Sequence, residues 1–172
     1  MPRPVVIVPY DTEWPGTYEQ ERKLVLGTVG GIIRSIEHVG STSVPGLSAK
    51  PIVDIIAGVD GPEDAERCRE LLTRIGYDDA STGDNPDWYY CLGKGPHSPG
   101  FHLHLVKEGS QFHRKHTLFR DWLRAHPADA EAYKELKLGL SEKYRNDRVA
   151  YTESKTEFIE KIVEKAKKSR DR

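Results

Sequence analysis

The apolar residues of this chain fall into two regimes. Up to Val106 they come in short β-branched or alternating runs divided by glycine and proline; beyond Phe112 they recur at helical spacing. The first regime predicts a short edge strand over 5–8, stopped by Pro9. A helix opened by Asp11 or Thr12 then runs through Leu24, Leu26 and Val29 to Gly30-Gly31. A strand over 32–39 follows. Next comes a connection punctuated by Pro45-Gly46 and Lys50-Pro51, with room for one helical turn, and then the strand Ile52-Val53-Asp54-Ile55-Ile56. Pro62 opens a second helix through Leu71, Leu72 and Ile75, closed by Gly76. Strands are predicted over 77–79, 88–92 and 101–106, separated by the polar loops STGDNPD and GKGPHSPG. The helical regime predicts 112–124, a break at His126-Pro127, and 128–140 with Tyr133, Leu136 and Leu140 in register. A last helix is predicted over about 149–168, with Phe158, Ile159, Ile162, Val163 and Ala166 inward. The order implies a single α+β domain over 1–172. A mixed β-sheet core with helices packed on it occupies about 1–107, and a C-terminal helical segment about 111–168.

One stretch carries most of the chemistry: EHVGSTSVPGLSAKPIVDIIAGV, residues 37–59. Asp54 is the single acid in an otherwise apolar strand, and a carboxylate there needs a cation, a metal or a dense hydrogen-bond network. Gly40 permits a positive φ or a close backbone approach, and Ser41, Thr42 and Ser43 follow it with three hydroxyls. Exposed N–H groups and hydroxyls in such a loop suit phosphate oxygens, although Thr42 and Ser43 also suit the capping of a short helical turn. Within the strand 101–106, alternation places His102 and His104 on one face and the apolar residues on the other.

Composition narrows the picture modestly. With 172 residues, the chain is long enough to bury a core without staples, and 37% hydrophobic with 31% charged residues is ordinary for a globular protein. A net charge of −1 argues against a general nucleic-acid or membrane-surface binder. Cys68 and Cys91 make no CxxC pair, which excludes a cysteine zinc site and a disulfide framework and fits a reducing compartment. No run reaches the length of a membrane span, and the start MPRPVVIVPYD lacks the layout of a signal peptide. A cytoplasmic location is expected.

The segment HVGSTSVPGLSAKPIVDI, residues 38–55, resembles the signature of the GrpB family, assigned to the nucleotidyltransferase superfamily. YDTEW, HLHLV, FRDWLRAHP and YTESKTEFI agree in order, so the resemblance covers nearly the whole chain. It implies a nucleotidyltransferase-like mixed β-sheet, and a functional link to dephospho-coenzyme A kinase, to which some members are fused. In that superfamily a Gly-Ser turn grips the phosphates of a nucleotide, two acids one residue apart on the next strand bind metal ions, and a third acid comes from a later neighbouring strand. Carried onto this chain, Gly40 and Ser41 match the turn and Asp54 the first acid, but Ile56 stands where the second acid belongs. One carboxylate holds magnesium poorly. On the implied fold His102 and His104 face Asp54, giving a ligand set of Asp54, His102 and His104 for a divalent metal: magnesium, manganese or zinc, with imidazole favouring the transition ions.

The remaining candidates are cationic. His38, two residues before Gly40, approaches the turn from the preceding strand, and Lys50 stands at the mouth of the Asp54 strand where it can meet a phosphate. Lys155 lies within the apolar stripe of the last predicted helix, with Tyr151, Ile159 and Ile162 in register, so it either snorkels or reaches an acid or phosphate. Arg120 reads as a local tie to Asp121, and His113 and His116 as a solvated pair at i, i+3. The expected catalytic set is Asp54, His104 and Lys155, and the expected phosphate set is Gly40, Ser41, Thr42, Ser43, Lys50 and His38. The leading expectation is a nucleotidyltransferase-like protein that binds a nucleotide or phosphorylated small molecule with a divalent metal and transfers a nucleotidyl group to a small molecule or protein hydroxyl. The alternatives are a non-catalytic nucleotide or coenzyme A-related binding module and a metal-dependent phosphoester hydrolase.

Overall fold

The computed structural model describes residues 3–82, 85–95 and 100–172; parts of both predicted polar loops, including His97, lie outside them. The first helix, α1 (Trp14–Val29), begins where Asp11 Oδ1 accepts the Glu13 amide at 2.8 Å. Strands β1 (Ser35–Val39) and β2 (Ile52–Val59) are joined through a 3-10 turn at Ser41–Ser43. Helix α2 (Pro62–Leu72) ends in a further 3-10 turn at Thr73–Ile75, closed by Gly76 at φ 96°. Then come β3 (Tyr77–Thr82), β4 (Trp88–Lys94) and β5 (Gly100–Lys107). The helical regime resolves into α3 (Gln111–Ala125), α4 (Pro127–Lys143), α5 (Arg148–Glu153) and α6 (Thr156–Arg170).

The five strands form one sheet in the order β1-β2-β5-β4-β3. β2 and β5 run parallel and the other pairs antiparallel, so the sheet is mixed as predicted. Strand alternation gives the sheet two different faces. On one, Val53, Ile55, Ala57, Val59, Leu103 and Leu105 pack against Val25 and Val29 of α1 and Ala65, Cys68 and Leu72 of α2. Each fully buried aliphatic side chain there contributes about 1.5–3 kcal/mol of transfer free energy. The other face carries Asp54, Ile56, His102, His104 and Val106. It is only partly covered: Val39, Ile56 and Val106 pack with Trp88 and with Phe112 of α3. A separate cluster of Val44, Leu47, Leu123, Tyr133 and Ile162 binds α3, α4 and α6 to the connection after β1.

Two predicted elements take another form. Residues 5–8 make no strand; Val8 alone bridges Ala49, with hydrogen bonds of 2.9 and 3.0 Å. Pro4 and Pro9 flank this segment and bring no amide to a ladder. The predicted last helix is two helices, broken at Ser154-Lys155. Residues 152–157 around that point carry no apolar side chain that would hold a continuous helix against the core.

The helices of the second regime are tied to the sheet by one buried guanidinium. Arg120 Nη1 donates to Glu37 Oε2 at 2.7 Å and to the His38 carbonyl at 3.0 Å, while Nε donates to Asp121 at 2.9 Å. Arg120→Ala should destabilise the protein by about 2–4 kcal/mol, because it strands a carboxylate and a carbonyl in a half-dry site. A shift of less than 0.5 M in the urea midpoint, with roughly 2 kcal/mol/M expected for the slope of a domain this size, would contradict that.

Candidate functional site

The site grows from the junction of β1 and β2. Gly40 adopts φ 73° and ψ −176°, a region closed to residues with a side chain, and a Cβ built there would lie 2.6 Å from Asp54 Oδ2. The missing side chain therefore makes the room in which the Asp54 carboxylate sits. The parallel register of β2 and β5 sets Asp54 opposite His102 and Ile56 opposite His104, all on the partly covered face. His102 Nδ1 and His104 Nε2 each lie 3.6 Å from Asp54 Oδ1.

These three groups shape one another's charge. Burial works to raise the Asp54 pKa, but the two imidazoles that face it outweigh this and hold the carboxyl well below its usual range. Burial alone would lower His104; the partnership with Asp54, helped by Cys91, instead lifts it to about 10. His104 Nδ1 is buried and without a hydrogen-bond partner among the described residues.

Opposite this acid and its imidazoles stands a wall of cations. A cavity of about 440 Å³ is lined by Gly40, Ser41 and Asp54 together with the lysines Lys50, Lys115, Lys137 and Lys155, of which Lys50, Lys137 and Lys155 are desolvated. Lys137 is only 2% exposed; its ammonium donates to Ser41 Oγ at 2.9 Å and to the Ser48 carbonyl, and lies over the Tyr133 ring. Lys155 sits 4.4 Å and Lys50 5.2 Å from the centre of the Tyr151 ring. Burial, then the neighbouring charges of Lys155 and Lys50, brings Lys137 down to about 7. Burial, then Lys50, brings Lys155 to about 8 against the opposing pull of Asp54. Lys50 is lowered by burial and then by Arg148. The Tyr151 hydroxyl, also lining the cavity, is buried without a partner among the described residues. Three ammonium groups crowded together and desolvated need an anion, and the cavity is where one fits.

His116 of α3 adds a neutral base. Its Nδ1 lies 2.9 Å from the Phe112 carbonyl, which can only accept, so Nδ1 carries the proton and Nε2 keeps a lone pair. Burial lowers its pKa to about 4 despite that bond. Its ring lines the cavity 6.2 Å from that of His104.

The structure thus brings together Gly40, Ser41, Thr42, Lys50, Asp54, His102, His104 and Lys155 around one cavity, and it leaves out two of the predicted residues. His38 pairs with Ile55 across the ladder and shares its face, so it points at α1, not at Asp54. There it stacks on Tyr18 at 4.7 Å and meets Thr42 Oγ1 at 2.9 Å, and burial holds its pKa near 4. Ser43 does not line the cavity either; its hydroxyl donates to the Gly40 carbonyl, closing the 3-10 turn, and its own carbonyl accepts from Arg124. Thr42 lines the cavity with its hydroxyl already engaged by His38. His113 and His116 are not the solvated pair of the sequence pattern. His113 is buried between Glu37 and Glu108, 3.7 and 3.8 Å away, and accepts the Gly109 amide. Lys137 was not singled out by the pattern of α4, although it stands four residues after Tyr133 and three before Leu140, the same signal that marks Lys155.

The groups present do not fit a two-carboxylate magnesium centre. Ile56 occupies the second position, and both imidazoles lie nearest one oxygen of Asp54, the one acid of β2. Among the described residues no three His, Cys, Asp or Glu side chains are spaced to hold a metal ion.

A mixed sheet with a glycine turn before a strand carboxylate is the frame of nucleotidyltransferases, and comparison with solved structures agrees at the level of fold. Terminal uridylyl transferase 4 from Trypanosoma brucei with bound dUTP superposes with a TM-score of 0.52 at 14% identity, over 78% of this chain and 46% of that one. The family model described as GrpB protein matches residues 4–165, and the chain belongs to that family. The crystal structure of GrpB from Enterococcus faecalis is similar with a TM-score of 0.87 at 30% identity, covering 97% of this chain and all of that one. A UPF0157 protein of Pseudomonas aeruginosa is 35% identical over 165 residues, 94% of this chain and 67% of the relative. A dephospho-CoA kinase of Mycolicibacterium paratuberculosis is 27% identical over 188 residues; the match takes in 95% of this chain but only 46% of that kinase.

Two outcomes are expected. Gly40→Ala should lower stability by about 1–3 kcal/mol, read by urea unfolding, because the new methyl group meets the Asp54 carboxylate in a glycine-only conformation. Between pH 7 and 9 the unfolded chain keeps lysine protons that folded Lys137 and Lys155 have begun to release. At these two sites the unfolded state then binds more protons, so the lysines make stability rise with pH across that window, against the opposite and partly cancelling pull of His104, whose proton the folded state keeps. A Lys137→Met/Lys155→Met double variant should flatten the rise; an unchanged slope in melting profiles would mean that these ammonium groups are not desolvated as described.

Proposed function

We propose that this protein binds the phosphate groups of a nucleotide, or of a similar phosphate ester, in the lysine-lined cavity. The observation that carries this reading is the meeting of Lys50, Lys137 and Lys155 around a space whose only facing carboxylate among the described residues, Asp54, already has two imidazoles beside it. Ser41 and Lys137, joined at 2.9 Å, would open to take a phosphate oxygen between them, with the turn at Gly40 supplying close backbone approach. The fold shared with nucleotide-binding polymerases makes a nucleoside triphosphate the first ligand to test. The match to a dephospho-CoA kinase makes dephospho-coenzyme A the second.

Nucleotidyl transfer is the reaction this frame would support, and Asp54 at the first acid position together with His116 favours it over simple binding. An acceptor hydroxyl attacks the α-phosphorus; a new P–O bond forms, the bond to the bridging oxygen breaks, and pyrophosphate leaves with the electron pair. His116 Nε2, kept neutral, can accept a hydrogen bond from the acceptor hydroxyl, whose proton passes on to water, and the three lysines hold the charge that gathers on the departing phosphates.

Calorimetric titration with the four ribonucleoside triphosphates and dephospho-coenzyme A, with magnesium, with manganese and with EDTA, tests the proposal. At least one should bind, and Lys155→Met should weaken it about 10–100-fold, the loss of one charge-assisted hydrogen bond. Release of pyrophosphate that Asp54→Asn abolishes would establish transfer. No binding of any of the five ligands under any of these conditions would remove the reading.

A further inference from the structure

A second cavity, of about 630 Å³, opens on the far side of Lys50, Ile52 and His102, and these three residues line both spaces. It is a groove over the open ends of β4 and β5, floored by Gly93, Gly100 and Phe101 and rimmed by Arg3 and Arg148. Both arginines are exposed, and neither forms an ion pair among the described residues. Lys94, also on this wall, is spoken for: its ammonium meets Glu21 at 2.8 Å. Among the described residues the one carboxylate lining the groove is Asp78. Among the described residues, then, two guanidinium groups without an ion-pair partner and the edge of Lys50 face a single acid.

From this arrangement we propose that the groove is the site of a second, phosphate-bearing small molecule, which serves as the acceptor for the group held in the lysine cavity. The role as acceptor rests on the function proposed above; the anion site itself does not. A planar guanidinium offers paired donors to phosphate oxygens, and Arg148 at the first turn of α5 is free to present them. A molecule anchored there reaches Asp54 and the inner cavity past His102, whose side chain is 40% exposed at the junction. Burial and then the charge of Arg148 depress the ammonium of Lys50, so a doubly charged anion between them relieves a repulsion already present. The glycine floor at Gly93 and Gly100 leaves room for the body of the ligand. Three cations in one place suit a single phosphate group. A tracked polynucleotide would need a line of them, which a chain of net charge −1 does not suggest.

The two sites can be read separately by amide resonances in ¹⁵N-labelled protein titrated with glycerol 2-phosphate. Gly93, Gly100 and Phe101 report the groove; Gly40, Ser41 and Thr42 report the lysine cavity. The groove amides should shift to saturation, and Arg148→Ser should raise their apparent dissociation constant at least about fivefold, with Arg148→Glu abolishing the response. Groove amides that stay still, or that shift identically in wild type and Arg148→Ser, would overturn the proposal. If the inner amides alone are silent, the lysine cavity loses its phosphate role while the groove keeps its own. A short oligoribonucleotide that saturates the groove amides at concentrations far below those needed for glycerol 2-phosphate would overturn the small-molecule assignment in favour of RNA.

Discussion

The parallel pairing of β2 with β5 is the constraint on which the site depends. It sets a strand carboxylate beside two imidazoles on one face of the sheet. A slip of one residue would send His102 and His104 to the face packed by α1 and α2, and would leave Asp54 without partners in a half-dry sheet. The turn at Gly40 completes the arrangement from the other strand, because the space a methyl group would fill is taken by Asp54 Oδ2. Glycine, aspartate and two histidines from distant stretches of chain are thus bound into one geometry by ladder hydrogen bonds and not by mutual attraction alone.

The helical half of the molecule supplies charge of the opposite sign. Arg120 clamps α3 to β1 through Glu37 and the His38 carbonyl, and α4 with the α5–α6 junction then places Lys137 and Lys155 over the acid. Crowding ammonium groups at low exposure costs stability, as their depressed pKa values show. A fold that only needed packing would place apolar side chains there, so the lysines mark the cavity as a place for chemistry.

Much of this was legible in the sequence. Alternation at Phe101-His102-Leu103-His104-Leu105 and the lone acid in Ile52–Ile56 placed the right side chains on the right strands, and every predicted helix exists in some form. What escaped has physical reasons. His38 is even-numbered like Asp54, but β1 runs antiparallel and its ladder partner is Ile55, so facing was decided by register and not by nearness to the Gly-Ser turn. The bond between Arg120 and Glu37 joins residues 83 apart, beyond any local pattern. Lys137 was hidden because the stripe of α4 was traced by its apolar members alone. The break between α5 and α6 lies in the polar run 152–157, which the pattern bridged because Tyr151 and Phe158, seven residues apart, stay in helical register across it.

That break has an electrical consequence. A continuous helix would have had its amino end near Arg148, about two turns before Thr156. Restarting at Thr156 instead brings the free amides of a fresh 15-residue helix to the lip where Lys155 and Thr156 stand. The aligned peptide dipoles of α6 add the equivalent of about half a positive charge at that spot. This contribution stays in place whatever the pH, even where the ammonium groups around it have given up their protons.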